Sequence, residues 1–564
     1  MNIIGIQKHS HSSACLFKNG ELIYFNIEER LSKRKRHFGI PIECLKEILK
    51  IESNIDKIVI TGYNDDYDEN VLICSLIDKL GFKLSNSDES WYSFFKSHHI
   101  SHALTAFYNS KFQEALVIVA DGRGSNYILN DGHLAHETTS AYLIKYPIQC
   151  EALYKKLYSK ELEFNSEKTK IKEDRIIFSI SDKTNFDIRN SLDVGLSYDI
   201  VTKFHGFNIN DDAGKLMGLQ SYGKYNLQFD DFLNSENIIN MNYFDRKNME
   251  VNLKNYPWLK NKSYAVDFAH KVQKSIEKIQ FDLIEKMLTE TGTKNLILTG
   301  GVALNVIANY NFRKNLPKDI NIYIEPMCGD EGNCLGIARM YCELGGIKTK
   351  VPNHNYLNGV FPSYDFKLND GEVISQAEPT DIVNLILEQN IVAIFQGKSE
   401  SGPRALGNRS ILFDPRNPNG KDIVNTVKNR ESFRPFACSI LKDEAHKWFD
   451  MAGLDESPYM MYAMQANPGV KKIIPSVVHV DNTCRIQTVK ESDNKILFQL
   501  LTEFNKQTGV PILFNTSFNL AGEVICETVE DALRTLRNSK IEYLYLPDIG
   551  ALVTITNSKE DNVS

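Results

Sequence analysis

Residues 115–125 read ALVIVADGRGS, an apolar run that stops at Asp121 and opens into a turn of small and polar residues. An apolar run of this length bounded by turn chemistry predicts a buried strand, and AYLIK (141–145) resumes a strand beyond the turn. The same order occurs at the start of the chain. Residues 2–7 and 14–18 read as strands, and Asn19-Gly20 followed by the strand-like run 21–26 is a strong hairpin signal. Two copies of strand, small polar turn, strand predict a duplicated α/β core. Helical patterns lie between the strands. Residues 267–289 carry Phe268, Val272, Ile276, Ile279, Leu283 and Met287 at helical spacing. A strand at 295–298 then runs into Thr299-Gly300-Gly301, and 302–309 reads as a helix start. That order suits a phosphate or sugar held by backbone N–H groups.

A chain of 564 residues is too long for one core, so two domains are the default. The stretch 345–366, with its Gly-Gly, prolines and NHNYLNG, sets the boundary and gives domains 1–350 and 351–564. Beyond it, 391–396 and 510–514 read as buried strands, and 557–564 as a frayed tail. A net charge of -7 argues against generic nucleic-acid binding through the phosphate backbone. The ten cysteines form no C-x-x-C pair, which removes support for a structural zinc or a redox dithiol. The start has no signal-peptide layout, and no apolar stretch is long enough to span a bilayer, so the expected setting is reducing and cytoplasmic.

Three constellations carry chemistry. The first is HHISH (98–102). On a helix, His98 and His102 share a face and can reach one ion; the bland alternative is a pair of surface or half-buried histidines. Asp121 ends the 115–120 strand, and Asp330 in CGDEG (328–332) follows a strand at 322–325. Two His and two Asp at strand ends and helix starts form a mixed N/O set suited to iron, manganese or zinc rather than calcium. Each Asp alone is more commonly a turn or cap residue. The second is EERLSKRKRH (28–37), a charge run that is either a solvated face or a source of cations for an anionic ligand. The third begins at QGKSESGPRALGNRS (396–410), directly after a buried strand. Gly402-Pro403 and Gly407 shape a loop around Arg404, and arginine recognises phosphate or carboxylate bidentately. Lys428, Arg430, Arg434, Arg485 and NTSFN (515–519), with Ser517, extend the set. Together they read as a site for several phosphates, against the alternative of surface salt bridges.

Several motifs in one order carry a family likeness: HHISHALTAFY (98–108), DDAGKLMGLQSYGK (211–224), LTGGVALNVIAN (298–309), GDEGNCLG (329–336), SESGPRALGNRSILFDPR (399–416), ESFRPFA (431–437), HVDNTCRIQTV (479–489) and PILFNTSFNLAGEVI (511–525). Over nearly its full length the chain resembles the NodU/CmcH family of O-carbamoyltransferases. The resemblance implies an α/β chain: an N-terminal actin-like ATPase (ASKHA) fold like that of the tRNA threonylcarbamoyl transferases, followed by a YrdC-like α/β domain. It implies that the C-terminal domain makes carbamoyl-adenylate from carbamoyl phosphate and ATP, the latter with Mg2+. The N-terminal domain then passes the carbamoyl group to an acceptor hydroxyl on an antibiotic, a sugar or a hydroxymethyl nucleotide. Arg404, Lys428, Arg434, Arg485 and Ser517 match positions that grip the phosphates and the carbamoyl group, and Lys35 matches an N-terminal lysine of the same site. His98, His102, Asp121 and Asp330 match the ligands of a divalent metal, with Fe2+ expected and Mn2+ or Zn2+ as alternatives. Gly300, Gly301, Asn305 and Lys215 match the nucleotide pocket. A homodimer is one option for the assembly.

One departure stands out. The family often reads His-Asp before Ser-Ala, and alignment on Ser13-Ala14 puts Ser10 at the His and His11 at the Asp. His11 is then the candidate general base, with His9 as its alternative. Competing readings are a fused enzyme of the threonylcarbamoyl-adenylate type acting on tRNA, and a kinase-like or non-catalytic nucleotide-binding protein. A carbamoyl-dehydrating hydrogenase maturation factor would carry C-x-x-C pairs that this chain lacks.

Overall fold

The computed structural model describes residues 1–63, 67–85, 91–93, 98–161, 180–181, 183–209, 212–227, 229–236, 238–245, 247–350 and 356–555. The tail 557–564 lies outside them. The chain divides into two compact units: Met1–Glu28 with Arg36–Pro352, and Glu29–Lys35 with Asn353–Ser564.

The two larger sheets of the first unit are built to one plan. In the first sheet Asn2–Gln7, Ser13–Lys18 and Glu21–Ile27 form an antiparallel meander. Lys57–Thr61 pairs parallel with Asn2–Gln7, and Trp91–Ser93 pairs parallel with Lys57–Thr61. In the second, Glu114–Ala120, Leu134–Lys145 and Gln149–Tyr158 form the meander. Asn295–Thr299 pairs parallel with Glu114–Ala120, and Asn321–Ile324 lies parallel beyond it. Both sheets therefore run third-second-first-fourth-fifth, with Asn185–Arg189 and Asn126–Ile128 added to the second. The duplication expected from the two strand-turn-strand copies is present at the level of strand order.

Local chemistry explains these elements. Asn19 and Gly20 take φ of 50° and 81°, the left-handed pair that a tight hairpin requires. Leu116, Val117 and Val119 are completely buried, as strands covered on both faces demand. The strand expected at 141–145 is in fact Leu134–Lys145. Its first half is polar because Glu137 and Ser140 point into a buried network around Lys155, and that polarity hides the strand pattern. The helix start expected at 302–309 is a 3-10 turn, Gly301–Leu304, before the α-helix Val306–Asn315. Asn305 separates the two, its side chain accepting from the Ala308 N–H as an N-cap.

The helix His98–Ser110 is buried from His98 through Tyr108. It packs on Asn333–Leu344 through Gly336, whose N–H donates to Thr105 Oγ1 at 3.0 Å. A Cβ at Gly336 would lie 2.5 Å from both the Thr105 backbone nitrogen and its Oγ1. The helix that starts with His98 and the helix that follows Asp330 are thus held in register by a missing side chain. The long helix Lys262–Thr291 is capped by Asn261, and Gly292 at φ 65° ends it.

The second unit is built on a nine-stranded mixed sheet, with Val392–Phe395, Arg409–Phe413, Ile512–Ser517 and Ala437–Leu441 adjacent at its centre. The segment Glu29–Lys35 belongs to this unit. It is not a uniform solvated face: Arg30 is 1% exposed and its Nη2 donates to the Gly402 carbonyl at 3.3 Å. Lys33 ion-pairs with Asp531. No helix among the described residues is long and apolar enough to cross a membrane.

Gly336→Val should lower the thermal unfolding midpoint and cost about 1–3 kcal/mol, the usual penalty for overpacking. A scanning-calorimetry midpoint equal to that of the wild type would contradict the close helix contact.

Candidate functional site

The helix His98–Ser110 begins at its two functional histidines, so His98 and His102 present their rings one turn apart. Asp121 leaves the end of Glu114–Ala120, and Asp330 opens the short turn Asp330–Gly332 before Asn333–Leu344. One atom from each residue lies within 4.8 Å of the other three. His98 Nε2 is 3.3 Å from Asp121 Oδ2 and 3.4 Å from Asp330 Oδ1. His102 Nε2 is 3.3 Å from each of the same oxygens and 3.3 Å from His98 Nε2. The four sequence candidates are brought together, and the reading of surface histidines is excluded by their burial.

The electrostatics fit a cation. Burial opposes the charge on His102, but hydrogen bonds to Asp121 and Asp330 outweigh it and lift its pKa to about 9. Asp121 and Asp330 are held below the usual carboxylate range despite burial, by hydrogen bonds and charge from His98 and His102. Two carboxylate oxygens and two imidazole nitrogens, all converging on one point, match an ion that accepts mixed N/O ligands once His102 gives up its proton. The outer oxygens are engaged elsewhere: Asp121 Oδ1 accepts from the Gly122 N–H at 2.7 Å, and Asp330 Oδ2 accepts from the Tyr63 hydroxyl. Each carboxylate therefore turns a single oxygen inward.

Behind this cluster lies a buried polar network. His99 Nδ1 is 2.9 Å from Ser140 Oγ, and Glu137 ion-pairs with Lys155. Burial pushes His99 down to about 3, and Glu137 is pulled down to about 2 against burial by His99 and Lys155. The ring of His99 is thus a neutral structural partner, which separates it from its neighbours 98 and 102.

Residues 9–11 also reach the cluster. His9 and His11 take φ of 74° and 48°. His11 Nδ1 is 3.0 Å from Ser10 Oγ. His9 Nδ1 accepts from the Tyr63 N–H at 3.3 Å. Tyr63 was not singled out in the sequence; one aromatic after a strand has no pattern to mark it.

Of the proposed nucleotide residues, Gly300 has φ 87° and lies against the Ala120 carbonyl, where any Cβ would collide. Gly301 comes close to Asp121, so the glycine loop borders the cluster. Asn305 is committed within the fold: besides its cap, its amide exchanges hydrogen bonds with Gln273 at 3.0 and 3.1 Å. Lys215 ion-pairs with Asp212 at 3.1 Å and lies over the Phe207 ring.

In the second unit, Lys428 is 3% exposed, and its Nζ donates to the carbonyls of Ser517 and Asn519. Burial, then the charges of Arg430 and Arg434, push its pKa well down. Arg485 is pushed down by burial and by Arg404 and Arg430, and Arg430 is pushed down to about 9 by burial and Arg434. These residues sit close enough to repel one another. Arg430 Nε and Arg485 Nε have no hydrogen-bond partner among the described residues. Ser517 Oγ donates to Asn519 Oδ1 at 2.6 Å, beside the Lys428 ammonium. A buried set of like charges is stabilised by an anion that answers several of them at once. Lys35 is exposed, whereas Lys33 of the same segment ion-pairs with Asp531.

Comparison with known proteins gives two family-model matches: carbamoyltransferase N-terminus over residues 64–339 and carbamoyltransferase C-terminus over 383–552. An uncharacterized protein of Methanocaldococcus jannaschii is 30% identical across 93% of this chain and 83% of its own length. Nodulation protein NolNO of Sinorhizobium fredii is 31% identical across 80% of this chain and 62% of its own length. Nodulation protein U of Rhizobium tropici is 37% identical across 41% of this chain and 39% of its own.

Two outcomes are expected. Because a metal needs the neutral imidazole and His102 holds its proton up to about pH 9 in the ion-free protein, binding of a divalent ion at pH 7.5 (roughly, mid-physiological) should release a proton. The sign follows from the raised value: protonated His102 stabilises the ion-free fold fully below its unfolded pKa, and that contribution fades as pH rises through about 9. Calorimetric titration in buffers of different ionisation heat checks this, and identical heats in all buffers would refute it. Pyrophosphate at about 100 times its Kd should add about 2.7 kcal/mol to the unfolding free energy. Arg485→Met should remove most of that gain; an unchanged gain would take Arg485 out of the anion site.

Proposed function

We propose, from the premise that this chain belongs to the carbamoyltransferase family and is itself a carbamoyltransferase, that it works by ATP-dependent O-carbamoylation in two half-reactions. The observation that carries this reading is the presence, on one chain, of a cation-seeking cluster in the first unit and an anion-seeking cluster in the second. The duplicated strand order supports an actin-like first unit, and the cation cluster on a mixed sheet supports a YrdC-like second unit.

In the first half-reaction, water cleaves carbamoyl phosphate to carbamate and phosphate. A carbamate oxygen then attacks the α-phosphorus of ATP, the bond to the β-phosphate bridge breaks, and carbamoyl-adenylate and pyrophosphate result. Arg404, Arg434 and Arg485 offset the charge gathered on the phosphates, where guanidinium forks match phosphate oxygens. Lys428 and Ser517 sit together to hold the carbamoyl end, and Lys35 adds charge from the 29–35 segment. Mg2+ accompanies ATP.

In the second half-reaction the acceptor hydroxyl oxygen attacks the carbamoyl carbon, the bond to AMP breaks, and AMP leaves with the electron pair. The hydroxyl proton passes to His11, with His9 as the other candidate at the same turn. An iron, manganese or zinc ion held by His98, His102, Asp121 and Asp330 would supply Lewis-acid polarisation of the carbonyl. Gly300 and Gly301 offer a backbone surface on which the nucleotide lies. The acceptor is a small molecule with a free hydroxyl: an antibiotic, a sugar or a hydroxymethyl nucleotide.

The test is pyrophosphate release from ATP with and without carbamoyl phosphate. Release should depend on carbamoyl phosphate. Arg404→Ala should abolish it, and Asp330→Ala should leave it within a few-fold while stopping carbamoyl transfer. Release that ignores carbamoyl phosphate, or that falls equally in both variants, would refute the division of labour.

A further inference from the structure

Tyr63 connects the parts of the first unit's cluster. It follows the strand Lys57–Thr61 of the first sheet, whereas Asp330 follows Asn321–Ile324 of the second. Its ring centroid lies 4.5 Å from that of His98 and 5.9 Å from that of His9, nearly parallel to the latter at 16°. Its hydroxyl donates to Asp330 Oδ2, and its backbone N–H donates to His9 Nδ1 at 3.3 Å. One residue of the first sheet thus touches both a carboxylate of the ion cluster and the turn that carries His9.

Two further observations point the same way. Asp121 has its outer oxygen fixed by the backbone of its own loop, at Gly122. Asp330 has its outer oxygen fixed by a side chain from another sheet, so its orientation depends on Tyr63. On the other side, His9 and His11 both occupy the left-handed region, a conformation that a non-glycine residue keeps where its neighbours hold it. Gly39 holds His9 by a reciprocal backbone pair at 3.0 and 3.1 Å, and the His9 ring lies against both Phe38 and Tyr63.

We propose that Tyr63 is a positioning residue: its hydroxyl confines Asp330 to one inward oxygen, while its backbone N–H and ring fix His9 beside the ion ligands. This inference rests on the reading of His98, His102, Asp121 and Asp330 as an ion site. Tyr63 transfers no group and contributes geometry only.

The test uses the full-length protein and Co2+ as the probe, read by its visible absorption. Tyr63→Phe keeps the ring and its stacking but removes the hydroxyl. It should weaken Co2+ binding about 10–100-fold, the usual effect of losing a hydrogen bond to a metal-ligating side chain, and alter the band intensities as Asp330 turns. Tyr63→Phe with Asp330→Ala should bind Co2+ no more weakly than Asp330→Ala alone, because the hydroxyl acts through Asp330. Wild-type Co2+ affinity and spectrum in Tyr63→Phe, or effects of the two substitutions that multiply, would overturn the proposal. A wild-type protein that binds no Co2+ would instead overturn the reading of the cluster, and this inference with it.

Discussion

Asp121 and Asp330 turn one oxygen each toward the same two imidazole nitrogens, inside a site almost closed to water. Two carboxylates this close repel, and burial removes the solvent that would screen them. Something positive must stand between them: a proton on His102, or an ion with a larger charge and more coordination directions. The rest of the first unit serves that requirement. One sheet ends at Asp121, the strand beside it feeds the Gly300 turn, and the helix carrying both histidines is locked to the helix after Asp330 by the bare Cα of Gly336. None of these elements could slide by a residue without taking a ligand out of reach.

The second unit presents the opposite imbalance. Lys428, Arg430 and Arg485 are driven down by burial and by one another, and the nearby acidic groups do not neutralise them. Holding these like charges together costs the second unit stability, a common mark of a site built for a ligand rather than for the fold. One unit demands a cation and the other an anion.

Much of this was legible from residue order. The apolar run before Asp121, the Asn19-Gly20 turn and the i, i+4 histidines each have a short-range physical cause, and each appears where it was read. What escaped has a long-range cause. The first half of Leu134–Lys145 is polar because its partner is Lys155 on the next strand, which no local pattern announces. Tyr63 matters because two sheets converge on it. Asn305 sits in a glycine-rich stretch suggestive of ligand binding, yet its amide is spent on Gln273 and on a helix cap. Arg30 lies in a charge run that reads as solvated, and only the placement of Gly402 beside it explains its burial.

The Arg30–Gly402 contact joins residues 372 positions apart. During synthesis at about 5–20 residues per second, the segment Glu29–Lys35 leaves the ribosome roughly 20–75 s before its partner loop exists. For that interval a basic strip stands on the nascent chain, with Arg30 still hydrated and Lys33 without Asp531. The first unit can close around the gap, since Glu28 and Arg36 both belong to it. The second unit cannot close until the chain is nearly complete. Cutting the gene at the boundary near residue 352 would therefore not yield two self-sufficient halves: the downstream fragment would lack a strap encoded at the opposite end.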